Sequence, residues 1–135
     1  MSSAADRRRG WTLLELLMVL AIAGVCASLA LPSYQAQLQR SQRSQALMLL
    51  LQTAHWLERA AAVQGSYPTT LPDSAWSRDG LNYQLDLVSD GRHFVLTATP
   101  VRQQSGDACG SFTLSDAGVR GIRDARLDVS ACWLP

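Results

Sequence analysis

The chain reads as an α+β protein: a long N-terminal helix, membrane-spanning over its first half, packed on a small antiparallel β-sheet. Three observations predict this fold class. An apolar run stands near the N-terminus, a helix-spaced apolar stripe follows it, and the C-terminal half alternates apolar and polar residues between turn signals. At 135 residues there is room for one compact domain of roughly 100 residues behind an N-terminal extension.

The first element is the apolar run. From Trp11 to Leu31 the polar side chains are Thr12, Glu15 and Ser28. As a helix rising about 1.5 Å per residue, this span covers roughly 30 Å, the thickness of a bilayer's hydrocarbon core. Arg7, Arg8 and Arg9 precede it, so the N-terminal end belongs in the cytoplasm and the remainder outside. The formal charge of +1 hides this asymmetry. Beyond Gly10 nine arginines face ten acids, a net of −1, and no lysine occurs anywhere. That balance is not a nucleic-acid-binding pattern.

Export of the C-terminal part places it in an oxidising compartment, where disulfides persist. Cys26 falls inside the apolar run, which leaves Cys109 and Cys132 as the expected disulfide pair, with two free thiols as the alternative. Closing such a loop contributes on the order of 3 kcal/mol. His55 and His93 have no zinc-ligand spacing with these cysteines.

Glu15 sits one turn into the run, near enough to the helix end to snorkel toward the interface. Its cost is therefore below the roughly 3 kcal/mol of a mid-membrane acid, but it stays unfavourable unless a cation meets it. No basic side chain lies within the run to meet it. A cut after Gly10 would supply a cation, the new α-amino group of Trp11. Other processing readings fit less well. The run is too long for an ordinary signal peptide, bulky Val25 opposes a lipoprotein site at Cys26, and a plain anchor leaves Glu15 unexplained.

The stretch "GWTLLELLMVLAIAG", followed by "LPSYQ", resembles the class III signal of type IV pilins and related pseudopilins. Gly10, Trp11, Glu15 and Pro32 carry the resemblance. It implies cleavage by a prepilin peptidase between Gly10 and Trp11, N-methylation of Trp11, and pairing of Glu15 with the N-terminus of a neighbouring subunit during filament assembly. Trp11 stands where the family usually has phenylalanine.

The helical pattern continues past the membrane segment. Pro32 should kink it, because a mid-helix proline loses one hydrogen bond and crowds the preceding turn. A polar stretch follows, then a stripe of Leu47, Leu50, Ala54, Leu57 and Ala61, flanked by Leu49, Trp56 and Val63. Gly65 and Pro68 end the helix. In "LNYQLDLVSDGRHFVLTATP", Asp90-Gly91 signals a two-residue hairpin turn that sets Leu87 opposite Phe94, Leu85 opposite Leu96 and Tyr83 opposite Ala98. "GSFTL", a turn at Asp116–Gly118, and "VRGI" predict one or two further strands. The expected divisions are a cleaved leader at 1–10, a transmembrane and filament-core helix at 11–31, its continuation at 32–64, and a sheet-bearing head at 65–135. That head contains an αβ-loop and a C-terminal disulfide region. "TATP", "CGSFTLSDAGVRG" and the terminal "CW" resemble PilE-like minor pilins, in which the two cysteines pair.

Remaining candidates have bland readings. His55 and His93 are expected at the surface. Asp107, Asp116, Asp124 and Asp128 lack the dense ligand alternation of a calcium loop and read as solvated acids. Trp56 belongs to the core, Trp133 packs against the disulfide, and Trp76 is the candidate for an exposed contact. Arg120, Arg123 and Arg126 interleave with Asp124 and Asp128, which favours a solvated edge over a DNA patch. No serine, histidine and acid spacing argues for an enzyme, and no cofactor or metal is expected.

The resemblance implies a structural subunit, a minor pilin of a bacterial type IV pilus serving pilus biogenesis, twitching motility or adhesion. Its partners would be other pilin subunits, the prepilin peptidase, the inner-membrane assembly machinery and, before assembly, the lipid bilayer. Its location would be single-pass in the inner membrane with a periplasmic head, then the extracellular pilus. The rivals are a type II secretion pseudopilin, a DNA-binding competence pilin with nucleic acid as partner, and a membrane-anchored periplasmic domain.

Overall fold

A computed structural model describes residues 11–72 and 80–134. Among them, helix α1 spans Leu13–Gln64, and strands β1 (Tyr83–Ser89), β2 (Phe94–Pro100), β3 (Ser111–Ser115) and β4 (Arg120–Arg123) follow. A 3-10 turn at Arg102–Gln104 lies between β2 and β3, and a short helix α2 (Val129–Trp133) comes last. The strands form one sheet in the order β1-β2-β3-β4, antiparallel at every step. The chain divides into two compact units between Ala36 and Gln37, a boundary inside α1.

In the first unit every side chain from Trp11 to Ala36 is exposed. Here α1 is long and apolar enough to cross a membrane, with a mean hydropathy of 2.4 in its most apolar window. Two hydroxyls in this segment are satisfied by the helix itself. Ser28 Oγ donates to the Val25 carbonyl at 2.7 Å, and Ser33 Oγ to that of Ala30 at 2.9 Å. The helix continues through Pro32 to Gln64.

In the second unit, α1 packs its buried side on the sheet. The stripe differs from the expected one: Gln42, Ala46, Leu47, Leu49, Leu50, Thr53 and Leu57 are buried. Ala54 and Ala61 are only half-buried, and Val63 is 87% exposed. The stripe is rotated because Thr53 can enter the core once its hydroxyl donates to the Leu49 carbonyl at 2.8 Å. Leu50, Leu57, Phe94, Leu96, Ala98 and Phe112 meet there with 2% exposure or less, each large side chain stabilising the fold by about 2 kcal/mol. At its C-terminal end α1 stops at Gly65, whose φ of +80° needs glycine and whose N–H donates to the Ala61 carbonyl at 2.8 Å.

The β1–β2 hairpin is present, but its register differs by two residues. Leu87 lies opposite Leu96, Leu85 opposite Ala98, Tyr83 opposite Pro100, and Ser89 opposite Phe94. The loop therefore holds Asp90 to His93 rather than two residues. Asp90 Oδ1 accepts from the Arg92 and His93 N–H groups at 2.8 and 2.7 Å, which builds the wider turn. A two-residue slip preserves facing, so the apolar residues still point to the core. Tyr67 closes this end: its N–H donates to the Gly91 carbonyl at 2.9 Å and its ring meets Phe94 edge-on at 4.9 Å.

Candidate functional site

Two places carry the residues that the sequence singles out, the start of α1 and the outer edge of the sheet. They belong to different compact units.

At the start of α1, Thr12 is the capping residue. Its N–H and its hydroxyl donate to Glu15 Oε2 at 2.9 and 3.1 Å, and the Glu15 N–H donates back to Thr12 Oγ1 at 3.2 Å. This reciprocal capping box satisfies donors that a helix start leaves unpaired. Glu15 thus has a local partner besides the expected cation, and the Thr-x-x-Glu spacing is its sequence signal. Trp11, 77% exposed, immediately precedes the cap. Gly10 and the expected cleavage leader lie outside the described residues, as does Trp76.

At the sheet edge, β4 is the outermost strand and exposes Arg120 and Arg123. The pleat sends residues an odd number apart to opposite faces. Arg120 therefore shares the core face with Ile122, while Arg123 lies on the other face with Gly121. The arginines straddle the edge instead of forming one flat cluster. Charge on an edge strand also blocks pairing with a foreign strand.

Beyond β4 the chain turns at Asp124, a non-glycine residue with φ 55°. Such a conformation persists only when its surroundings over-determine it, and here its neighbours do so. Gly110 fits so closely beneath that a Cβ on it would stand 2.1 Å from the Arg123 carbonyl oxygen. The Arg126 N–H donates to the Ala108 carbonyl at 2.7 Å, and Arg126 Nη2 to that of Gly106 at 2.9 Å. Cys109 and Cys132 form a disulfide, 23 residues apart in sequence, which ties α2 to the same segment. Arg123 thus ends β4 and Arg126 is carried on the pinned loop that follows it.

Other candidates settle as follows. His55 is exposed. His93 is exposed too, yet its Nδ1 lies 2.9 Å from Asp116 Oδ2. That hydrogen bond holds the imidazole above its usual range and the Asp116 carboxyl below its own. Asp107 corrects the solvated reading, because its side chain is fully buried and ion-paired with Arg43. Asp124 and Asp128 are exposed. Trp133 is buried, its ring meets Phe112 and Arg120, and its indole N–H donates to the Gly121 carbonyl. Among the described residues no group of three histidine, cysteine or acidic side chains is placed to hold a metal ion.

Comparison with known proteins places this geometry. Residues 6–31 match the prokaryotic N-terminal methylation motif, and residues 32–113, more than half the chain, match the family "Type IV minor pilin ComP, DNA uptake sequence receptor". The fimbrial protein EcpC of Eikenella corrodens is 50% identical over 42 residues, covering 31% of this chain and 28% of that one. The type IV major pilin PilE1 of Neisseria gonorrhoeae is 48% identical over 42 residues, covering 31% and 26%. The chain thus spans little more than a quarter of the length of these curated relatives. The type II secretion system core protein G of Escherichia coli is 33% identical over 67 residues, half of this chain and 46% of that one. A type IV pilin structure from Shewanella oneidensis superposes with a TM-score of 0.53 at 25% identity, over 67% of this chain and 98% of that one. The non-core minor pilin PilV of Neisseria meningitidis shares the fold, with a TM-score of 0.55 at 24% identity over 69% and 94%. With its methylation motif, its α1 helix on a four-stranded antiparallel sheet, and a family match extending through the head, the chain belongs to the type IV minor pilin ComP family.

Proposed function

We propose that this minor pilin carries DNA-binding capacity into a type IV pilus. The chain is cut between Gly10 and Trp11 by a prepilin peptidase and methylated at Trp11. It waits in the inner membrane with its head in the periplasm, then enters the filament through the first half of α1. There Glu15 exchanges its Thr12 cap for the Trp11 amine of a neighbouring subunit, which sets register during docking.

The observation that carries the DNA reading is the extent of the family match. It covers residues 32–113, the head rather than the shared helix alone, and the matched family is described as a DNA uptake sequence receptor. The arginines at 120, 123 and 126 lie beyond that range. All three are exposed, and among the described residues no carboxylate forms an ion pair with them. Phosphate contacts of this kind make binding salt-dependent.

The test is fluorescence anisotropy of a labelled mixed-sequence duplex with the full-length processed protein in detergent micelles, across a salt series. Each Arg→Ala change that removes a phosphate contact should lower the slope of log affinity against log salt by about one. Affinity and slope unchanged in the triple variant would remove the arginine edge from the DNA reading. The E. coli core protein G match supports a second reading, a secretion pseudopilin. Absence of the chain from purified pili, with loss of protein secretion on its deletion, would favour that one.

A further inference from the structure

Arg120 is held differently from Arg123 and Arg126. Its guanidinium carbon lies over the Trp133 ring, 5.3 Å from the centroid. That ring is fixed on its other sides. The indole N–H donates to the Gly121 carbonyl at 3.0 Å, and the ring meets Phe112 edge-on at 5.8 Å and 89°. Its chain neighbour Cys132 is bonded to Cys109. With 8% of its surface exposed, Trp133 has little room to follow the arginine, so the arginine takes its direction from the ring.

The acids near Arg120 are already engaged. Arg120 shares a groove of about 190 Å³ with Glu58 and Asp116. Asp116 accepts from His93 at 2.9 Å, and Glu58 accepts the Tyr67 hydroxyl at 3.1 Å. Neither is within ion-pair distance of Arg120. The guanidinium is therefore placed by an aromatic ring, and no ion pair among the described residues engages it. A guanidinium over a ring can still donate to phosphate or base edges through its periphery. Arg123, on the opposite face, has no ring beneath it among the described residues and must lose more side-chain freedom on binding.

We infer that Trp133 is a positioning residue for DNA capture, holding Arg120 ready before the nucleic acid arrives. This rests on the DNA reading above. It assigns a recognition role to a tryptophan that otherwise looks like simple core.

A double-mutant cycle tests it, with the full-length processed protein in detergent and the same labelled mixed-sequence duplex. The forms compared are the unaltered chain, Trp133→Phe, Arg120→Ala and the pair, with melting curves recorded for each. The phenyl ring keeps an aromatic face but is smaller, is a weaker cation partner and lacks the indole N–H. Trp133→Phe should weaken binding about two- to five-fold when Arg120 is present. It should leave affinity unchanged in the Arg120→Ala background. An equal loss in both backgrounds means that Trp133 acts through the fold alone, and overturns the inference; no loss in either does the same. If Trp133→Phe does not fold, Arg120→Lys carries the test, since an ammonium lacks the planar fork that the ring orients. Full affinity in the lysine variant then overturns it. A duplex that the unaltered chain does not bind at all sinks the DNA reading itself, which separates the two failures.

Discussion

Arg43 on α1 and Asp107 ahead of the disulfide, 64 residues apart in sequence, form a forked ion pair at the back of the head. Arg43 Nη2 lies 2.6 Å from Asp107 Oδ1, and Nε lies 2.7 Å from Oδ2. The Asp107 side chain is fully buried, and it also receives the Gln104 amide, the Cys109 N–H and the Tyr83 hydroxyl. Burial pushes this carboxyl up, but Arg43 and the Cys109 N–H outweigh it and leave it below the usual carboxylate range. Burial likewise pushes the Tyr83 hydroxyl up to about 12. The pair clamps the segment that leads into the disulfide onto α1.

Removing Arg43 should therefore strand a buried carboxylate. Arg43→Ala is expected to cost about 3 kcal/mol in denaturant unfolding at neutral pH. Because the Asp107 value is depressed, its contribution is present above the ordinary 3.8 and fades as pH falls through the depressed value. The gap between the variant and the parent chain should narrow in acid. A gap that is constant with pH would show that the pair does not act through charge.

His93 and Asp116 give a second, opposite pH signature. The raised His93 value means its contribution is full below the ordinary 6.5 and is lost as pH rises through the folded value. The lowered Asp116 value means its contribution is present above 3.8 and is lost in acid. The pair works in the mildly acidic window between them. His93→Gln should flatten the change in melting temperature between about pH 6 and pH 8, read by circular dichroism. An unchanged profile in that variant would count against the staple.

Gly110 and Gly118 should differ although both have positive φ, 57° and 73°. A Cβ at Gly118 meets nothing within 4 Å, so Gly118→Ala should cost about 1 kcal/mol for its backbone conformation alone. At Gly110 the same Cβ strikes the Arg123 carbonyl, and Gly110→Ala should cost about twice as much or more. Equal losses in thermal unfolding would contradict the close backing of the arginine loop.

These features were unequally legible in the sequence. The helix and the four strands follow from apolar period and turn residues, which are local signals. The hairpin register slipped by two because the Asp90 side chain bonds the loop backbone, and residue type alone does not distinguish that from a tight turn. Helix α2 was missed because Val129–Trp133 is too short to show a period. A threonine such as Thr53 does not register in an apolar period, although its bond to the Leu49 carbonyl lets it enter the core. Nothing near Arg43 marks Asp107 as its partner, since only the fold brings them together. The Thr12–Glu15 cap, by contrast, is a spacing that local reading can find.

That cap also sharpens the test of assembly. Glu15→Leu should abolish incorporation into pili while leaving peptidase processing intact. Glu15→Gln keeps a capping-box acceptor but removes the charge, so it too should fail if the Trp11 amine of a neighbour is the partner. Normal incorporation of the glutamine variant, scored by immunoblot of sheared pili, would leave Glu15 as a helix cap only.

The most direct measurement is mass spectrometry of pili purified from cells producing this chain. The account predicts a subunit beginning at N-methylated Trp11, with Cys109 and Cys132 joined. Pili lacking the chain, or a cell-envelope form still beginning at Met1, would contradict it.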